Sequence, residues 1–171
     1  LAASSLTQSI EDPRRDMHVN VGGTVNILEA ARRLSIRRII FSSASSVYGR
    51  FAGGAVKEED ICMPTTPYAV SKLACEHYLR VYSEIFGLKY VVFRFFNVYG
   101  PWQYPESRTL VPNVMAKVVR GEKIQIYGDG SQMRDYIYVQ DVVNYLVKAL
   151  SGVGENMVFN LGTGVPTSVL N

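Results

Sequence analysis

Between Val19 and Leu34 the apolar residues fall at Val21, Val25, Leu28 and Ala30 or Ala31, and Glu29, Arg32 and Arg33 take other faces. That spacing predicts a helix with one buried side. Arg38-Ile39-Ile40-Phe41-Ser42 changes the period: it is a short β-branched and aromatic run that opens into serines and ends at Gly49, as a buried strand running into a loop does. Gly53-Gly54 and Pro64 to Pro67 predict a long connection. Helical spacing then resumes from Tyr68 to Phe86 and stops near Gly87. Tyr90 to Phe95 is apolar enough to be a strand buried on both faces.

The second half continues the alternation. Asn97-Val98-Tyr99-Gly100-Pro101 breaks the strand, Val111 to Arg120 reads as a helix stopped by Gly121, and Lys123 to Tyr127 reads as a short strand closed by Gly128-Asp129-Gly130. Asp135 to Val139 is predicted as a strand and Asp141 to Leu150 as a helix capped by its aspartate. Met157 to Leu161 is the last predicted strand, before Gly162-Thr163-Gly164. Strands alternating with helices of this length imply parallel pairing through right-handed crossovers, hence an α/β doubly wound parallel sheet.

Composition narrows the class of protein. With 171 residues, 47% hydrophobic and 19% charged, the chain is composed like one globular domain. Its net charge of +3 sits in separated pairs, Arg14-Arg15, Arg32-Arg33 and Arg37-Arg38, without the basic stripe of a nucleic-acid binder. No apolar run reaches the roughly 18 residues of a membrane span, and the N-terminus carries no charged-then-apolar leader, so no membrane partner and a cytoplasmic location are expected. Cys62, Cys75, His18 and His77 lack metal-ligand spacing, so neither a metal site nor a disulfide framework is expected. The chain begins at Leu1 and stops at Asn171 just after a glycine-rich turn, which reads as an internal piece of a longer protein.

Tyr68 and Lys72 carry the candidate chemistry. Four residues apart in Thr66-Pro67-Tyr68-Ala69-Val70-Ser71-Lys72, they share one face of a helix's first turns. A lysine cation beside a phenol favours the phenolate and lowers a pKa otherwise near about 10, making the tyrosine a usable acid or base. Eleven tyrosines make such a spacing easy to reach by chance, and an amphipathic helix with a solvated lysine fits the pair equally well.

The order of landmarks decides between them. Leu1-Ala2-Ala3, Asn20-Val21 with Gly23-Thr24, Leu28-Glu29-Ala30-Ala31, Phe41 to Gly49, Pro67 to Lys72, Arg94 to Pro101, Tyr127 to Tyr136 and Asn160 to Gly164 together resemble the NAD-dependent epimerase/dehydratase family of extended short-chain dehydrogenases/reductases. Within it the chain is most similar to UDP-sugar 4-epimerases. The resemblance implies a truncated Rossmann-like domain over residues 1–171, lacking the glycine-rich N-terminal half and the C-terminal substrate segments, with residues 97–135 contributing to a smaller substrate-binding lobe. It also implies bound NAD, a UDP-sugar substrate and a homodimer of the full-length protein, built through helices that include that of Tyr68. The isolated piece is expected to be inactive.

Roles carry over position by position. Tyr68 is implied as the acid/base, and Lys72 as the residue that holds the nicotinamide ribose and keeps the phenol acidic. Ala2, Ala3, Asn20, Ser42, Ser43 and Phe96 match positions at the cofactor. Asn97 and Arg134 match contacts to the nucleotide diphosphate, and Leu110, Gln125 and Tyr127 match the uracil enclosure. Bland alternatives stand beside them: core alanines, a capping asparagine, a core phenylalanine, an asparagine before a turn, and an Arg134 ion pair with Asp135 or Asp129.

Two departures qualify the resemblance. The family's catalytic serine or threonine, three residues before the valine of Val47-Tyr48-Gly49, is here Ala44, and Ser45 is the expected substitute, with Ser43 as the other choice. Ser45 and Ser46 stand where 4,6-dehydratases of the family carry an Asp-Glu pair, which places a nucleotide-sugar dehydratase second to an epimerase. Ala44 equally suits a non-catalytic nucleotide-binding relative. The second departure is the glycine-rich phosphate turn, which this stretch of sequence does not contain.

Overall fold

The computed structural model describes residues 6–50, 55–104, 109–126 and 128–170. The chain divides into one unit of Leu1–Phe95 with Lys148–Asn160 and another of Phe96–Val147 with Leu161–Asn171.

In the first unit helical structure starts well before Val19. Asp12 caps α2 (Pro13–Met17) by accepting the Arg15 N–H at 3.0 Å, Pro13 takes a first-turn position that needs no N–H, and a short α1 (Leu6–Glu11) precedes them. One π-helical turn, His18–Gly22, joins α2 to α3 (Gly23–Arg33). Strand β1 (Arg38–Ala44) runs parallel to β2 (Lys89–Phe95), with Arg38 opposite Lys89 and Ala44 opposite Phe95, and β5 (Met157–Leu161) completes the order β1-β2-β5. A central position explains why β2 is buried from Tyr90 to Arg94 on both faces, as its unbroken apolar run predicted.

Helix α4 (Pro67–Phe86) lies between β1 and β2 in sequence. Thr66 caps it by accepting the Ala69 N–H at 3.3 Å, and Gly87, at φ +72°, ends it. Leu28 and Ala31 of α3, Leu79 and Tyr82 of α4, and Leu88, Tyr90 and Val92 form the core, joined by Ile39, Phe41 and Val158. Each large apolar side chain buried there contributes about 1.5–3 kcal/mol.

One member of β2 breaks its apolar character. The Arg94 guanidinium is 7% exposed and meets the 6% exposed Glu76 carboxylate of α4 at 2.7 Å, with Nε also donating to both carboxylate oxygens. Burial disfavours the guanidinium charge, yet the hydrogen bonds from Arg94 to Glu76 and Tyr48 outweigh it and hold its pKa above the ordinary value.

In the second unit β3 (Asn97–Tyr99) pairs in parallel with β4 (Met133–Tyr138), and β6 (Pro166–Ser168) runs antiparallel on β4's other side. Helices α5 (Leu110–Arg120) and α6 (Val139–Leu150) accompany them. Several predicted elements shift here. Asn97–Tyr99 is a strand and not only a break, β4 starts two residues before Asp135, and α6 starts at Val139, so Asp141 lies inside its first turn and does not cap it. Residues 123–126 form no strand: Ile124 and Ile126 are exposed, and without a partner strand two β-branched residues do not suffice. Trp102 is fully exposed at φ +68°.

Breaking the buried ion pair from one side is expected to destabilise the fold strongly. Arg94→Met or Glu76→Leu alone should each cost about 3–5 kcal/mol in urea unfolding followed by circular dichroism, and the double substitution should recover much of that loss.

Candidate active site

A proline at the first position of α4 and a threonine cap before it set Tyr68 and Lys72 in the opening turns of the helix, one above the other. Lys72 is 5% exposed. Its Nζ donates to the Ser42 carbonyl oxygen at 2.9 Å and lies 5.0 Å from the centre of the Phe41 ring and 5.7 Å from that of Tyr68. The ammonium is thereby fixed between the C-terminal end of β1 and the phenol, and the solvated-lysine alternative does not describe it. Strand ends of an α/β sheet are where ligands bind.

Electrostatics in the chain alone run against the simple expectation for this pair. Burial, then the nearby Asp16 carboxylate, pushes the Tyr68 phenol above its usual pKa of 10.0. Burial also pulls Lys72 below its usual 10.5, opposed by Cys75 and Asp16. The predicted phenol acidification by Lys72 is therefore not what these side chains produce by themselves, because burial disfavours the phenolate and the Asp16 charge adds to that.

Sequence reasoning missed Asp16. Only 2% exposed, its carboxylate accepts the Ser71 hydroxyl at 2.6 Å and the Asn20 amide at 2.9 Å. Asn20 sits inside the π turn and not at a helix cap, and its carbonyl accepts the Cys75 thiol at 3.4 Å. Placing the helix start at Val19 left Asp16 in an unread loop. The Asp12-Pro13 pair was the signal that could have moved that start.

The serine loop is held from beneath. Ser43 is buried and its hydroxyl donates to Glu76, while Ser42 presents an exposed side chain. Ala44 is extended, and Ser45–Tyr48 form a single 3-10 turn in which Ser45 is half-buried. Ser46 Oγ is buried without a hydrogen-bond partner among the described residues. Tyr48 accepts from Arg94 at 2.7 Å and donates to Asn160 at 2.8 Å. Gly49 closes the loop at φ +76°, where a Cβ would stand 1.9 Å from the Met63 carbonyl oxygen, so no other residue fits.

The second unit gathers the expected diphosphate residues. Asn97 stands opposite Tyr136 in the β3-β4 ladder, two residues from Arg134, and its amide donates to the Asp135 carbonyl at 3.0 Å. Arg134 is exposed and donates to the Met133 carbonyl. The Asp135 carboxylate is turned instead to Thr163 and Gly164, and that of Asp129 to Ser131. Leu110 opens α5 half-buried, Gln125 is exposed, and Phe96 is half-buried with its N–H on the Leu161 carbonyl. Ala2, Ala3 and Tyr127 lie outside the described residues. Among the described residues no cluster of His, Cys, Asp and Glu could hold a metal ion, and no helix is long and apolar enough to cross a membrane.

A parallel α/β sheet with a tyrosine-lysine pair at the end of β1 places the chain among Rossmann-like α/β proteins. The chain belongs to the NAD dependent epimerase/dehydratase family, whose sequence profile matches residues 1–162. It is 40% identical over 169 residues to a UDP-glucose 4-epimerase of Mycolicibacterium smegmatis, covering 98% of this chain and 54% of that protein. Superposition on the crystal structure of the Thermotoga maritima UDP-glucose 4-epimerase with UDP-glucose gives a TM-score of 0.96 at 38% identity, over 99% of this chain and 56% of the other. A dTDP-glucose 4,6-dehydratase of Streptomyces venezuelae, solved with NAD bound, gives 0.91 at 28% identity, over 99% and 52%. The chain thus spans about half the length of the relatives it matches.

Tyr48, Tyr68 and Tyr90 are all raised above 10.0, mainly by burial. A raised folded-state pKa contributes stability that is present below the unfolded value and lost as pH rises through the folded one. Lys72, lowered by burial, opposes this only between its folded value and 10.5. Unfolding stability is therefore expected to fall as pH rises beyond about 10, and Tyr68→Phe should flatten part of that fall in urea titrations at stepped pH.

Proposed function

We propose that the full-length protein containing this chain is a cytoplasmic nucleotide-sugar epimerase that interconverts UDP-hexoses at C4 through a 4-keto sugar, with NAD tightly bound. The observation that carries this reading is the fixed Lys72 ammonium between the Ser42 carbonyl and the Tyr68 ring. NAD fits the residues present. Lys72 uses one of its three N–H donors on Ser42, which leaves donors for a ribose hydroxyl at the end of β1. The exposed Ser42 side chain stands on β1 itself, next to that carbonyl.

When bound, the cofactor supplies hydride acceptance and return at the sugar carbon. This chain's residues supply the rest. Tyr68 takes the proton of the sugar 4-hydroxyl and gives it back, and Lys72 orients the ribose and stabilises the phenolate. Ser45, half-buried at the start of the 3-10 turn, is the hydroxyl proposed to stand in for the one missing at Ala44. Ser43 is the weaker choice, because its hydroxyl is engaged by Glu76. Asn97 and Arg134 bind the diphosphate, Arg134 through a planar fork suited to it. Leu110, Gln125 and Tyr127 enclose the uracil. Residues 97–135 form part of the substrate lobe. A homodimer is supported by the exposed apolar residues Val70, Tyr78, Val81 and Ile85 along α4.

Dehydration of a nucleotide sugar is the second reading, favoured by the dehydratase relatives and opposed by Ser45 and Ser46 where a carboxylate pair is needed. A non-catalytic relative is the third, resting on Ala44. In the full-length protein, UDP-glucose should convert to UDP-galactose or a related pair, without a 4-keto-6-deoxy product. Tyr68→Phe should lower kcat by about a hundredfold or more. Unchanged turnover in that variant would remove the catalytic assignment.

A further inference from the structure

Asp16 is a buried carboxylate beside Tyr68 and Lys72 that the proposed chemistry does not use. Its carboxylate is nearly sealed from water and accepts two hydrogen bonds, one from Asn20 on the adjoining π turn and one from Ser71, the residue just before Lys72. A buried carboxylate is costly unless it is hydrogen-bonded or balanced by a cation. Lys72 supplies a nearby positive charge: Asp16 is among the groups that raise its pKa, after Cys75, against the larger effect of burial. The groups facing Asp16 from α4 are Tyr68, Lys72 and Cys75. Glu11 on α1, Arg14 and Arg15 on α2 and His18 on the π turn are exposed and screened by solvent.

We propose that Asp16 is a positioning residue for the Tyr68–Lys72 pair: its buried carboxylate pins the turn of α4 that carries Lys72 through the Ser71 hydroxyl and balances the lysine's charge beneath the phenol. This rests on the reading that Tyr68 exchanges a proton with the substrate. Its consequence has a sign. A negative charge here favours protonation of both neighbours, so a neutral residue at position 16 must let both lose their protons at lower pH.

The test uses the full-length protein with its cofactor and tyrosines labelled with carbon-13 at Cζ, the Tyr68 resonance being assigned with Tyr68→Phe. In Asp16→Asn the Tyr68 titration midpoint should fall by about 1 pH unit. Both limbs of the kcat/KM profile for UDP-hexose epimerisation should move towards acid, and kcat should drop several-fold more than KM changes. Asp16→Ser provides a second neutral replacement should the asparagine variant not fold. Asp16→Glu and Ser71→Ala keep the charge, and both should leave the midpoint at the wild-type value while Ser71→Ala lowers kcat. A neutral variant with an unmoved or raised midpoint overturns the proposal, as does a lowered midpoint in Asp16→Glu. If the wild-type protein fails to epimerise any UDP-hexose, the functional reading falls, and the resonance titration still decides the role of Asp16.

Discussion

The Arg94–Glu76 ion pair is the constraint on which the first unit depends. It lies where β2 would otherwise be wholly apolar, and it joins elements that no hydrophobic contact could register so sharply. Glu76 receives the Ser43 hydroxyl from β1, and Arg94 reaches Tyr48 of the serine loop and the Glu58 carbonyl. Asn160 of β5 extends the network to Tyr48, to the Val56 carbonyl and, through its own N–H, to the Glu58 carboxylate. Apolar packing would bring α4 against the sheet but would tolerate small slips along it. A network of directional bonds does not. Because Glu76 is one turn beyond Lys72, the pair also sets how far along β1 the lysine ammonium reaches.

The site built on this frame is electrostatically unfinished in the chain alone. Desolvation and the Asp16 charge both favour the protonated phenol. A further positive charge beside the phenol is what the physics asks for, and the oxidised nicotinamide of the family's cofactor supplies one. The pair is thus poised so that its acidity depends on what is bound. Under the proposed function, a tyrosine that is a weak acid without cofactor and a stronger one with it would confine proton exchange to the loaded protein.

Much of this was legible in the sequence, for identifiable reasons. The period of the apolar residues revealed α3, α4, β1, β2 and β5, because each buries a face against one shared core. The Thr66-Pro67 start located Tyr68 and Lys72 to the turn. Three kinds of feature were not legible. The Asp16 and Arg94 networks join residues 55 and 18 positions from their partners, and no local pattern carries that. The strand read at Lys123 to Tyr127 rested on propensity without a partner. The three-residue strands β3 and β6 are defined by their neighbours more than by their own residues. Charged residues within apolar runs were the available clue, since a buried charge demands a partner even when the sequence does not say which.

Trp102 is the chain's single tryptophan and stands wholly in solvent on a left-handed residue of the second unit. Its emission is therefore that of an indole already surrounded by water, and melting the core changes its surroundings little. Optical studies of this chain have a silent tryptophan and eleven tyrosines, several of them buried. The ultraviolet signature of folding here belongs to phenols, the same type of group as the proposed acid/base Tyr68.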